Sequence, residues 1–508
     1  MKDVAVPRRI ATIAAGTAAL MCGWLVILHL RMIVSPAPQE MREGAMIWLT
    51  RLVLEGRNPY VLSELPASSY AYGIVYRAVV LPFARLFGNG YTVHRAVSAV
   101  SIAGACAVLY HLLRRQGTTF LLSAIGVMLF YASSVYFVAP LARPDGLGVF
   151  FCLASIACLF TTDKLRLKPD TTDLTAGWFA AGLIFGLLAL LTKIYLAFPP
   201  FIMSLYVFLF VSPKRGLMYG VATLTAAIVT LYTMTLFYPA YITMSLVDNM
   251  NSAAYYNLDH MKRQTLDWLL YSLPLTVALV ILLVRAVMRT SPAQWIRSTP
   301  SPFAFAAAVN ATVFFCIFAG HAGAHMTYMF HLVTPLLLLA MWPSFDERSW
   351  AGAMVAIALP IAFIANAHYF PLTFGRFRAA EATFAQLSDV IRAHQCVLGS
   401  TEVAGPLALA GQPVFDSGHS QYFGEAAIKS RIPGLVPAES IDARWKAFLT
   451  EIKSGIVDGR FDLIIRNRRP GLIPDRLVAA HYKRVATIDV DLPWGAQRWP
   501  LDLWEPIR

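Results

Sequence analysis

The sequence predicts an α-helical polytopic membrane protein of about 11 transmembrane helices, with interfacial helices in the first outer loop and a small α/β extracytoplasmic C-terminal domain. Three observations carry that class. Of 508 residues, 57% are hydrophobic and only 14% charged, against about 25% charged in an ordinary soluble domain. Several uncharged runs reach the roughly 20 residues needed to cross a hydrocarbon core about 30 Å thick. The basic residues gather in short clusters between those runs, which is positive-inside patterning. The formal net charge of +13 is therefore read as a topology signal, and nucleic acid is set aside as a partner.

Lys2, Arg8 and Arg9 precede the first span, roughly 10–34. Its apolar run is longer than the roughly 7–15 residues of a signal-peptide core, so it reads as an uncleaved helix. The first outer loop, about 35–92, has two notable parts. Met41, Ala45, Trp48, Leu49 and Leu52 share one helical face, with Arg42, Thr50, Arg51 and Glu55 off it; this predicts an amphipathic helix in the membrane interface. The piece 73–88 holds Arg77, Pro82 and Arg85 and reads as re-entrant or interfacial. Further spans are predicted at about 93–113, 118–139, 146–162, 175–191, 195–211, 216–238, 267–286, 302–320, 325–342 and 350–367.

Basic clusters at 114–115, 164–168, 214–215, 285–297 and Arg348 alternate with connections holding only Arg143, Lys193, Lys262 and Arg263. That alternation predicts a cytoplasmic N-terminus; the expected location is a bacterial-type inner (plasma) membrane. An odd number of spans puts the first loop and the C-terminal tail outside. The chain divides at about residue 370, into a membrane domain (1–369) and a soluble domain (370–508). In the latter, helix-like FRAAEATFAQLSDVIRAH precedes strand-like CVLGS, PVFDS, FDLIIRN and RVATIDV, with helices near 439–454 and at PDRLVAAHY. Such alternation predicts a mostly parallel sheet. No G-x-G-x-x-G follows a strand, so dinucleotide binding is unsupported. Five of the six cysteines lie in apolar runs and none forms C-x-x-C; they read as small buried hydrophobes.

The order of features resembles the GT-C superfamily of membrane glycosyltransferases, which includes protein O-mannosyltransferases, aminoarabinose transferases and bacterial Rgt-type sugar transferases. The resemblance rests on REGAMIWLTRLVLEGRNPY, YGIVYRAVVLPFARLFG with HRAVS, ARPDGLG, LLTKIYLAFP and GHAGAHMTYMFHLVTPLLLLA, spread over roughly 35–342. It implies transfer of a sugar from a polyprenyl-phosphate donor to an extracytoplasmic glycan, lipid or protein acceptor, among membrane lipids. Many members carry Asp, often Asp-Glu, at the start of the first loop. This chain has Arg42-Glu43, so Glu43 alone would inherit that role.

Such a reaction needs cations for the departing phosphate and a carboxylate base for the acceptor hydroxyl. Glu43 is the expected base, set against a solvated charge on an interfacial helix. Asp145, after Pro144 at the start of a span, is the second catalytic candidate; alternatively it caps that helix. Lys193 is the expected phosphate ligand, or a lysine snorkelling to the interface. Arg143, Lys262 and Arg263 are further phosphate candidates, the last two equally readable as solvated loop charges. His321 and His325 have the i, i+4 spacing of a zinc pair, which leaves a divalent metal open. Tyr328 and His331 continue that stretch as pocket-lining residues. Two other classes compete: a transporter or flippase without chemistry, which would be expected to show related halves and midplane charges, and a membrane anchor for a binding tail.

Overall fold

The computed structural model describes residues 2–40, 42–68, 72–135, 140–160, 176–242, 257–289, 301–320, 326–366, 375–417, 438–468, 473–492 and 497–507. The apolar runs are helical. In order come α1 (Lys2–Val34), α2 (Glu43–Leu54), α3 (Val75–Phe87), α4 (Tyr91–Arg115), α5 (Phe120–Val135), α6 (Asp145–Leu159), α7 (Ala176–Thr192), α8 (Phe198–Phe210) and α9 (Pro213–Phe237). Helices at Leu258–Tyr271, Leu273–Arg289, Pro302–Val313, Thr334–Met341 and Trp350–Asn366 follow.

Among the described residues, three helices are long and apolar enough to cross a membrane: α1 from Ala5, α4 and α9. The pair Leu258–Tyr271 and Leu273–Met288, bent by 90°, makes a fourth if it counts as one span. Shorter apolar helices fill the other predicted spans. Large apolar side chains such as Leu20, Leu224, Tyr232 and Leu236 are exposed on α1 and α9, as lipid-facing helices require.

The structure corrects three expectations. The run predicted as a single span over 267–286 is broken at Ser272 between two helices at 90°. Pro274 disfavours a helical residue before it and supplies no N–H, while Asn257 starts the first helix by accepting from the N–H groups of Asp259 and His260. The amphipathic helix is present as α2, but its polar side meets protein instead of water. Glu43 through Thr50 are all buried, polar Glu43 and Thr50 included. Its polar side is covered by the tail helix Ala404–Leu409, against which it packs. Arg51 donates to the carbonyl oxygens of Ala408 (3.1 Å), Gln412 (3.1 Å) and Gly411 (3.0 Å), satisfying the acceptors that a helix end leaves over. A Cβ on Gly44 would stand 2.4 Å from Gly405 N, so the close approach depends on glycine.

The third correction concerns the sheet. Its order is β1-β2-β4-β3, with β1 (Val397–Gly399), β2 (Leu463–Asn467), β3 (Tyr482–Leu492) and β4 (Gln497–Pro506). Only β1 and β2 are parallel; β2–β4 and β3–β4 are antiparallel. β3 and β4 are sequential strands joined by a short connection, which permits only antiparallel pairing. The expected strand PVFDS does not form: Val414 and Phe415 are buried outside the sheet. β4 was hidden by Pro500 and Pro506. Pro500 pairs with Asp489 of β3 and lies past the end of β2, whose pairing stops at Leu501, so its missing N–H interrupts no ladder on that side.

Helix Gly375–Arg392 is tied to the end of α1 by Arg31, which pairs with Glu381 at 2.5 Å. Burial alone would raise the Glu381 pKa, but hydrogen bonds from Arg31 and Ser35 hold it below the usual carboxylate value.

Candidate active site

Four connections meet above the start of α6, and each is held by backbone chemistry. The ARPDG turn brings Ala142, Arg143 and Asp145 together. Its carbonyl at Arg143 accepts from Ser98 Oγ of α4 at 2.8 Å, and its Ala142 N–H donates to Glu43 Oε1 at 2.8 Å. α7 ends at Thr192, and a 3-10 turn, Ile194–Ala197, follows Lys193. Gly73 donates its N–H to Thr192 O at 3.1 Å, which seats Tyr72 beside Lys193. A Cβ on Gly73 would stand 1.8 Å from Leu191 O. Gly73→Ala is therefore expected to cost about 1–3 kcal/mol by forcing these backbones apart and to slow turnover; unchanged melting temperature and turnover would contradict this. Finally, a π-helical turn, Met329–Val333, carries His331. Such turns often occur at functional sites.

The structure brings Arg143, Asp145, Lys193, Tyr328 and His331 into one cluster, with Tyr72 and Tyr195 added. Asp145 is 1% exposed and Lys193 7%. Lys193 Nζ pairs with Asp145 Oδ1. The ammonium also lies 4.4 Å from the Tyr72 ring centroid, 5.0 Å from that of Tyr195 and 5.8 Å from that of Tyr328. Three aromatic faces around one ammonium form a cation–π cage. Tyr195 Oη stands 3.5 Å from Asp145 Oδ1 and 3.2 Å from His331 Nδ1. Asp145 Oδ2 faces Arg143 Nε at 3.3 Å but accepts no hydrogen bond: the two charges are close, and the angles do not align. Arg143 Nη2 reaches Tyr72 Oη at 3.2 Å. His331 Nε2 is buried and likewise makes no hydrogen bond. Among the described residues the cluster thus holds two cations against one close carboxylate, with Glu40 more distant at 3.9 Å from Arg143.

The helix-cap alternative for Asp145 is not what the structure holds. Pro144 is the residue before the helix, and no side-chain cap bond forms there. Nor does Lys193 snorkel; it is enclosed by rings.

Glu43 has a different setting from the expected base. It is 0% exposed, and both oxygens are already engaged. Arg95 Nε meets Oε1 at 2.8 Å, and Nη2 meets Oε2 at 2.6 Å. The N–H groups of Ala142 (2.8 Å), Gln39 (2.7 Å) and Glu40 (3.4 Å) donate as well. A carboxylate with that many donors has no open face toward a hydroxyl. Lys262 is exposed and pairs with Asp259 at 3.4 Å, and Arg263 is exposed as well, which is the solvated setting weighed for both. His321 and His325 lie outside the described residues. Among the described residues, no three His, Cys, Asp or Glu side chains converge as a metal site.

Arg95, Tyr72 and Tyr195 were not singled out from sequence, whereas Tyr328 was. Arg95 sits in the middle of HRAVS at the start of α4, where a basic residue reads as a flank of a span. Its partner is 52 residues away, and spacing carries no signal of such a pair.

No family model and no curated protein matches the sequence. Solved structures do match. The crystal structure of ArnT from Cupriavidus metallidurans bound to undecaprenyl phosphate aligns over 98% of this chain and 98% of its own, at 13% identity and a TM-score of 0.54. The apo state of the same protein aligns over 97% of this chain and 98% of its own, at 13% identity and a TM-score of 0.52. The chain shares the fold of ArnT. A crystal structure of the Archaeoglobus fulgidus oligosaccharyltransferase, in complex with Zn and sulfate, covers 90% of this chain and 68% of its own, at 12% identity and a TM-score of 0.47. The shared fold agrees with the order of features in the sequence: a structured first loop, short loops between apolar helices, and a tail with a small sheet.

Proposed function

We propose that this GT-C protein is a glycosyltransferase that moves a sugar from a polyprenyl-phosphate-linked donor to a hydroxyl of an extracytoplasmic glycan, lipid or protein. The carrying observation is the buried Arg143–Asp145–Lys193 cluster, in which two cations flank one carboxylate whose Oδ2 accepts no hydrogen bond. The undecaprenyl phosphate bound to ArnT supports a lipid-phosphate donor. The full reading has eleven spans, a cytoplasmic N-terminus, a membrane domain over 1–369 and an extracytoplasmic domain over 370–508.

In the reaction, the bond between the sugar's anomeric carbon and the phosphate oxygen breaks, and a bond from that carbon to the acceptor oxygen forms. The acceptor's proton passes to Asp145. The electron pair of the broken bond leaves on the polyprenyl phosphate, where Arg143 and Lys193 stabilise the charge. Arriving phosphate competes for both cations and so loosens their hold on Asp145. The carboxylate becomes a stronger base when donor is bound. Tyr195 and His331 orient Asp145 and Lys193 from the opposite side. Glu43 is a positioning residue: through Ala142 it fixes the turn that presents Arg143 and Asp145.

The direct test incubates purified protein with a panel of polyprenyl-phosphate sugars and acceptors and follows release of the lipid phosphate. Release that depends on both substrates is the expected result; none with any donor would remove the reading. Lys193→Met is expected to weaken donor binding by about 10–100-fold, the value of a lost charge-assisted contact, with little change for the acceptor. Equal losses on both substrates would argue against a phosphate role for Lys193.

A further inference from the structure

A cavity of about 410 Å³ lies away from the Asp145 cluster, between the end of α2, the turn that follows it, α3 and the end of α9. Its lining includes Val53, Asn58, Tyr60, Arg77, Phe237 and Tyr238. Arg77 is only 3% exposed, and its Nε and Nη2 make no hydrogen bond. The guanidinium lies 4.6 Å from the Tyr60 ring centroid, and that ring is held edge-on by Tyr238 and Tyr241. Among the described residues, no carboxylate forms an ion pair with Arg77. Arg57, on the rim, pairs with Glu64 at 2.6 Å and Glu55 at 3.5 Å, so the nearby acids are already matched.

Burying a guanidinium with unmet donors costs several kcal/mol. Its planar fork of N–H groups fits the oxygens of a phosphate, and the cavity falls within the roughly 300–1,000 Å³ of ligand pockets. The surroundings are greasy. Ile74, Leu81 and Phe237 line it, and Phe237 is 64% exposed.

We propose that the Arg77 cavity is a second anion site, taking the phosphoryl group of an amphiphile whose apolar part lies along Leu81 and the exposed Phe237 at the end of α9. It shares none of the charged residues of the Asp145 cluster, and it is a statement about binding that stands whether or not sugar transfer does. Tyr60 connects the two places, since its hydroxyl donates to Tyr72 O at 2.9 Å and Tyr72 packs on Lys193.

The test is thermal unfolding of the full-length protein in neutral detergent, titrated with inorganic phosphate, short-chain phosphatidylglycerol or the matching neutral diacylglycerol. Wild type is expected to gain a saturable rise in melting temperature with phosphatidylglycerol and none with diacylglycerol. A response to inorganic phosphate as well would assign recognition to the head group; its absence would assign part of it to the tail. Arg77→Met is expected to melt higher than wild type without ligand, because an unmet buried charge is gone, and to weaken the apparent affinity about tenfold or more. Arg77→Lys should retain an intermediate affinity, and it decides the matter if the Met variant fails to fold. In a Lys193→Met background the Arg77-dependent rise should persist. If it vanishes there, the anion is the donor's own phosphate and the second site falls. The proposal is also overturned if the Arg77 variants bind like wild type, or if wild type shows no saturable rise.

Discussion

Asp145→Glu is expected to fold with near-native stability and to lose transfer by about 10²-fold or more. The substitution keeps the charge that Arg143 and Lys193 require and moves the carboxylate by one methylene, and a displacement of about 1 Å at a reacting group costs about 10²-fold. Asp145→Asn should behave differently. It removes the base, worth about 10²–10⁴-fold, and also leaves two buried cations beside each other. Breaking a buried pair on one side typically costs about 3–5 kcal/mol, so the Asn variant is expected to lose both melting temperature and turnover. The pair of variants separates chemistry from electrostatic support. Turnover per folded molecule and thermal unfolding, measured on both, are the readouts. If the Glu variant turns over at the wild-type rate, Asp145 is a counter-ion for Lys193 and not a base.

The membrane architecture was legible because lipid imposes a long, local constraint. A run of apolar residues either is or is not long enough, but the break at Ser272, just before Pro274, does not show, and 267–286 reads as one span. Arg143, Asp145 and Lys193 were also legible, since charged residues next to apolar spans carry a cost that asks for a reason. What stayed hidden was pairing at a distance. Glu43 reads as a base and Arg95 as the flank of a span, and only the folded chain shows that they satisfy each other. The cage around Lys193 combines Tyr72, Tyr195 and Tyr328 from three separate segments, and no periodicity links them. Arg77 shows the same limit from another side: in sequence it helped to mark 73–88 as too charged for a span, and only its burial beside a cavity makes it a candidate for binding. In the tail, Pro500 made β4 look unlike a strand, because sequence does not reveal where the neighbouring strand stops.

Glu43→Gln is expected to cost about 3–5 kcal/mol of stability, because it removes one partner of a fully buried ion pair. Glu43 and Arg95 are both 0% exposed. Arg95 also donates to the carbonyl oxygens of Met32 (2.8 Å), Ser35 (2.7 Å) and Ala37 (2.8 Å), so it ties the end of α1 to α2 and, through Glu43, to the turn carrying Arg143 and Asp145. A glutamine there would point amide hydrogens at donors and leave the guanidinium charge unmet. Turnover should fall as the turn loosens, but it should track the folded fraction and keep the wild-type pH profile. A general base behaves otherwise: its loss lowers turnover of fully folded protein and removes a limb of that profile. The double variant Glu43→Gln with Arg95→Met is expected to recover part of the lost stability, because the unmet charge goes with its partner. A Glu43→Gln protein that melts like wild type yet has lost about 10²-fold in turnover would return the base role to Glu43 and take it from Asp145.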